Sequence, residues 1–160
     1  MGGRGITSIS HAVRLVGRTT LHRWLSVVLV ASLGEKGDVS RELALTAMTR
    51  ARLCELLVTN AKVRNDGRSA FIVGLLSLLD VLLEIPMDKI LSRLELSDDV
   101  RGALLNRSGR LARPLQVVEA YEQADWDRAL SIASENALAP ELLPNLYIDA
   151  LHWAAQRVSE

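Results

Sequence analysis

Between Ala70 and Leu83 the sequence Ala-Phe-Ile-Val-Gly-Leu-Leu-Ser-Leu-Leu-Asp-Val-Leu-Leu carries two clearly polar residues, Ser77 and Asp80. A helix over this stretch would have no broad solvent face, and a helix apolar nearly all round is a buried one. It is too short to cross a bilayer, which takes about 20 predominantly apolar residues without a central charge. The segment Ser69 to Glu84 is therefore read as a buried central helix, with Phe71 to Leu83 as its apolar body. Everything else in the chain must then supply its cover.

The flanking sequence predicts helices to do so, and shows no strand alternation. Ile9, Ala12, Val13 and Val16 form one short stripe, ended by Gly17. Leu21, Trp24, Leu25, Val28 and Leu29 form a second, capped by Thr19 or Thr20 and stopped by Gly34. From Val39 to about Thr59, Leu43, Ala47, Ala51, Cys54 and Val58 recur on one side, with Asp38 or Ser40 at the start and Asn60 near the end. Asn65-Asp66-Gly67 is a turn.

Beyond the central helix, Pro86 and Asp88 suit the opening turn of a helix carrying Met87, Ile90, Leu91 and Leu94. Ser97-Asp98-Asp99 opens the next, over Val100, Ala103, Leu104 and Leu105, which Arg107-Ser108-Gly109 breaks. Leu111 to about Gln123 follows, with Pro114 tolerable only in its first turn. Asp125 caps a helix over Trp126 to Ser134, and Ala139-Pro140 opens a last one through Leu146, Tyr147, Ala150, Trp153 and Val158. The expectation is about nine helices with short connections.

With 160 residues, 49% of them hydrophobic, the chain fits a single domain, 1–160, with a sizeable core. Residues 1–5 are expected to be disordered, and Met-Gly-Gly-Arg-Gly-Ile holds neither a signal-peptide apolar run nor a myristoylation pattern. Cys54 is the only cysteine, which excludes an internal disulfide and suits a reducing cytoplasm. Lys plus Arg equals Asp plus Glu at 19 each, so no global charge calls for nucleic acid or a membrane. The halves differ: residues 1–68 hold 11 cations and 5 anions, residues 69–160 hold 8 and 14. Halves that face each other, or solvated faces, account for this better than a nucleic-acid partner, because the basic residues are scattered and lack aromatic interleaving.

Several stretches resemble the HDOD family, the HD-related output domain of bacterial signalling proteins, in the branch found C-terminal to EAL cyclic-di-GMP phosphodiesterase domains. They are Ser8-Ile9-Ser10-His11-Ala12-Val13 with Val16-Gly17, Leu21-His22-Arg23-Trp24-Leu25, and Arg50-Ala51-Arg52-Leu53-Cys54-Glu55. Ala70 to Asp80 carries the likeness furthest, and Glu119-Ala120-Tyr121-Glu122 with Asp125-Trp126 completes it. Their order spans nearly all of residues 6–157. The resemblance implies an HD-domain-like multi-helix bundle around the buried central helix at about 69–84. Family members carry further helices before the stretch that begins here at Ile6, so the chain is expected to be the C-terminal majority of the module. Apolar surface left open between Ile9 and Leu33 would then favour self-association.

Metal-dependent HD phosphohydrolases place adjacent His and Asp in an apolar helix reading Gly-Leu-Leu-His-Asp-Ile-Gly. Imidazole and carboxylate bind a divalent metal whose activated water attacks phosphate. Aligned on Gly74-Leu75-Leu76, this sequence has Ser77 and Leu78 there, and no His-Asp dipeptide anywhere. No catalytic, cofactor-binding or metal residues are therefore assigned. Asp80 is expected to meet Arg50 or Arg52, or to reach solvent at a groove. His11, His22 and His152 scatter and are read as packed or surface residues, Cys54 as a core residue, and Trp24, Trp126 and Trp153 as core anchors.

The functional expectation is a non-enzymatic, cytoplasmic regulatory module that binds protein partners, among them an EAL-type domain, in cyclic-di-GMP signalling, with homo-oligomers possible. It needs no cofactor, membrane or nucleic acid. A residual metal-dependent phosphohydrolase and a nucleic-acid binder using the basic first half are the competing readings.

Overall fold

A computed structural model describes residues 38–61 and 66–158, all in helices and connecting turns. The stripes expected at residues 9–16 and 21–29, the tail 1–5, His11, His22 and Trp24 lie outside the described residues. Helix α1 (Asp38–Asn60) is the longest, about 34 Å at 1.5 Å per residue. It buries Ala44, Ala47, Met48, Ala51, Cys54 and Val58, the side the sequence spacing picks out, with Leu43 only half-buried. Three of these are alanines, so neighbouring helices approach its backbone closely.

The central helix is not continuous. Gly67–Leu76 forms α2 and Leu79–Leu83 forms α3, with a turn at Ser77 and Leu78. In an unbroken helix the Gly74 carbonyl would accept from the amide four residues on. Here the Ser77 amide takes it at 3.4 Å and the Ser77 hydroxyl at 2.7 Å. A hydroxyl that competes for a helix acceptor loosens the ladder locally. Leu78 then leaves helical geometry at φ −116°, ψ 9°. Burial also differs from expectation: α2 buries Ala70, Phe71, Val73, Leu75 and Leu76, whereas α3 leaves Val81 and Leu83 exposed.

The later helices follow their punctuation closely. They are α4 (Met87–Leu91), α5 (Asp98–Asn106), α6 (Ala112–Glu122), α7 (Trp126–Glu135) and α8 (Leu143–Val158), with a 3-10 turn at Pro140–Leu142. Pro86 stands just before α4 rather than as its first residue. The Ser97 hydroxyl accepts from the Val100 amide at 3.4 Å and the Asp125 carboxylate from the Arg128 amide at 3.3 Å, the two expected caps. Pro114 and Pro144 sit in first turns, where the missing N–H costs no helical bond.

The packing is organised around α1. α2 and α8 make its broadest contacts and α6 a smaller one, while α7 packs on α6 and α5 on α2. The main core runs through Leu53, Leu57, Val73, Leu104, Leu115 and Val118, and a second joins Met48, Phe71 and Leu75 to Ala154 of α8. This places α1, the α2–α3 break and the end of α6 side by side.

Candidate functional site

The approach of α2 to α1 is set by Gly74. A Cβ there would lie 2.6 Å from the Arg50 carbonyl oxygen and 2.7 Å from Cα and N of Ala51, so no larger residue fits at this spacing. Three residues further on, the chain breaks at Ser77, and Arg50 reaches across from α1 to meet it.

Arg50 Nη1 donates to Ser77 Oγ at 3.2 Å. Its Nε donates to both Glu122 oxygens at 3.0 Å, and Nη2 donates to Glu122 Oε2 at 2.6 Å. Glu119 Oε1 lies 3.8 Å from Nη1. Glu119 is held in turn by Arg107, through Nη2 at 2.8 Å and Nε at 3.3 Å. Arg107, in the left-handed conformation at φ 50°, also donates to the Leu104 carbonyl at 2.5 Å and so satisfies the end of α5. Two guanidinium groups and two carboxylates thus balance, and the Arg50 side chain is 13% exposed.

Burial by itself would lower the Arg50 pKa, but the hydrogen bond and charge of Glu122, with the charge of Glu119, raise it overall. Arg50 is a permanent cation in this setting. Cys54, one turn along α1 and fully buried, has its thiol pushed well above its ordinary value by burial, with Arg50 opposing. It is a protonated core group without thiolate chemistry. Tyr147 is also raised, first by burial and then by the Glu122 charge and Tyr121. The aromatic cluster Tyr121, Trp126 and Tyr147 therefore adjoins the same network.

The arrangement joins elements of the fold to one another. Each polar side chain in it is engaged by another, and Ser77 is buried, donating to Gly74 while accepting from Arg50. Leu78 packs with Leu43 around Ala44 and Leu82. A separate cleft of about 220 Å³ lies between Val58, Ala61, Leu111 and Leu138. Its walls include Asp66 paired with Arg110, and no Ser, Cys or His.

The chain is 32% identical over 149 residues to the uncharacterised protein YuxH of Bacillus subtilis, a match covering 92% of this chain and 36% of that protein. It is 29% identical over 149 residues to CdgJ of Vibrio cholerae, a cyclic di-GMP phosphodiesterase, covering 93% of this chain and 34% of that protein. The chain spans about a third of each relative. No family model and no solved structure matches it.

Other sequence expectations meet mixed outcomes. Asp80 is half-buried and meets neither arginine named for it, which leaves the solvent-reaching alternative: Arg50 is committed to Glu122 and Ser77, and Arg52 pairs with Glu55 at 2.6 Å. Trp126 is not a core anchor, being 51% exposed. Trp153 is half-buried, edge-on to Phe71 at 5.9 Å with the Arg157 guanidinium 4.1 Å from its ring. His152 is exposed, and Cys54 is in the core. Among the described residues no helix is long and apolar enough to cross a membrane. The Arg50–Glu122 pair has one signal in the sequence, two carboxylates three residues apart in the otherwise apolar run from Val117 to Glu122.

Proposed function

We propose that this chain is a non-catalytic output module of the HDOD type, acting by protein–protein contact in cytoplasmic cyclic-di-GMP signalling. The observation that carries the reading is the chemistry of the Ser77–Leu78 break. Where an HD phosphohydrolase would hold a metal with His and Asp, this chain has a hydroxyl and an isobutyl group, and the cation at the hydroxyl is its own Arg50. A charge-balanced junction of α1, the α2–α3 break, α6 and the end of α5 is suited to transmitting a shift between them, since packed elements have discrete rather than continuous arrangements.

The relationship to CdgJ supports the signalling context. A segment corresponding to a third of a phosphodiesterase fits a regulatory portion beside a catalytic one. The partner on this reading is an EAL-type phosphodiesterase domain, in the same polypeptide or another.

The test is to assay the purified chain for cyclic-di-GMP hydrolysis with Mg²⁺ or Mn²⁺, then to add it to the portion of CdgJ that it does not match. The expected result is no turnover by the chain alone and a several-fold change in the CdgJ rate. Metal-dependent turnover by the chain, lost in Asp80→Asn, would establish the phosphohydrolase reading instead. A salt-sensitive complex with DNA or RNA and no effect on CdgJ would establish the nucleic-acid one.

A further inference from the structure

Helix α7 sets small residues innermost and leaves two large apolar ones open. Its inward line is Ala129 and Ala133, both fully buried, while the large apolar residues Trp126 and Leu130 stand 51% and 45% exposed on its flank. Trp126 is held in place. Its ring meets Tyr121 edge-on at 4.7 Å, and Tyr121 meets Tyr147 of α8 at 5.0 Å. Ile148, next along α8, is 50% exposed. An ordered aromatic group with one face open loses little conformational freedom on binding, and Trp and Tyr are the residues most enriched where interface energy concentrates.

The charge around this face is predominantly negative. From Gln123 to Asp149 the sequence holds five acids, Asp125, Asp127, Glu135, Glu141 and Asp149, and one base, Arg128. All five carboxylates are exposed, with Asp125 and Asp127 on either side of Trp126 and Asp149 beside Ile148. Glu119 and Glu122 add nothing outward, being matched by Arg107 and Arg50.

We propose that the Trp126–Leu130–Tyr147 face is the docking surface for a cationic amphipathic segment of a protein partner. The inference rests on the interaction reading above and gives it a location. Apolar side chains of the partner cover Trp126 and Leu130, and its Lys or Arg residues meet the carboxylate rim, which also steers encounter. The same rim repels nucleic acid.

The test titrates the whole chain with a Leu/Lys amphipathic helical peptide and its Leu/Glu counterpart, followed by calorimetry. The Leu/Lys peptide should bind, at least roughly tenfold more weakly to Trp126→Ala. Asp127→Asn with Asp149→Asn should slow association and flatten its salt dependence. Trp126 is exposed, so circular dichroism should show the variant folded; Trp126→Phe, which keeps an aromatic ring, should bind between the two.

Equal binding of the two peptides, or binding indifferent to Trp126→Ala, would overturn the proposal. So would a concentration-dependent mass in light scattering that Trp126→Ala abolishes, since the face would then belong to a second copy. If the chain still alters the CdgJ rate and Trp126→Ala leaves that effect intact, this surface falls while the module reading stands.

Discussion

At Gly74 two helix backbones come close enough that a single methyl group decides whether they can. The obstacle it would meet is the backbone of Arg50 and Ala51, which no side-chain rotation relieves. Gly74→Ala is therefore expected to cost about 3 kcal/mol, the upper end of overpacking penalties, and to lower the thermal midpoint accordingly. An unchanged midpoint would show that α1 and α2 can separate freely. Arg50, on the facing turn, supplies a different kind of restraint. Truncating it leaves Glu122 half-sheltered without its cation, so Arg50→Met should cost about 1.5–3 kcal/mol, the range for hydrogen bonds to charged groups. In a double-mutant cycle with Glu122→Gln, most of that loss should appear as coupling between the two; additive losses would mean the pair contributes little. Tyr147 gives the network a pH signature. Its pKa is raised above 10.0, first by burial and then by the Glu122 charge, so the native state favours the protonated phenol. That contribution is fully present below pH 10 and fades as pH rises through the folded value. Tyr147→Phe should flatten the alkaline decline in denaturant midpoint, and a decline identical in both proteins would assign it elsewhere.

At the scale of elements, most helix boundaries were legible because each rests on local chemistry: Ser97 and Asp125 cap, and prolines open. The α2–α3 break was not. The apolar pattern runs through Ser77 and Leu78 without a fault, and the break depends on a hydroxyl taking the Gly74 carbonyl while Arg50, 27 residues away, holds that hydroxyl. Helix stops were also partly hidden. Glu84, Ala124 and Ala137 adopt positive φ, a conformation usually given to glycine, so the sequence does not advertise them. Trp126 was misread for a related reason. Spacing says which side a residue shares with its neighbours, but whether alanine or tryptophan takes the inner line depends on how closely α6 approaches. The left-handed alanines make a prediction of their own. Ala124→Gly and Ala137→Gly relieve a steric cost of about 1–2 kcal/mol but add backbone freedom to the unfolded chain. Each should stabilise by about 0.5 kcal/mol in chemical denaturation, and a loss of stability would mean the methyl contacts outweigh the strain.

Across the whole molecule, restraint is unevenly shared. α1 is gripped by α2 and α8 along its length and by α6 through Arg50, and Arg107 extends that grip to α5. The span from Leu79 to Leu91 is held more lightly, by Leu82 in its first helix and by Ile90 and Leu91, which are buried at its far end. Its two helices are five residues each, they touch mainly one another and α5, and Val81, Leu83 and Ile85 remain exposed. Leu82 against Ala44 is its anchor to α1. Regions with few buried apolar contacts open locally at free energies well below that of global unfolding. Amide hydrogen exchange should therefore separate the molecule in two. Amides in the middle of α1 and α2 should exchange only by global unfolding, with rates that track denaturant stability. Those from Leu82 to Lys89 should exchange on the order of a hundredfold faster or more, through an opening about 3 kcal/mol less costly. Arg50→Met sharpens the test. If the Arg50–Ser77 bond pins the break, the variant should accelerate exchange at residues 79–91 beyond its effect on α7, which Arg50 does not touch. A uniform acceleration would make the pair a global stabiliser only. A selective one would mean that the junction governs how firmly α3 and α4 are held, and that a partner able to shift α6 could loosen or tighten them from the other side of the molecule.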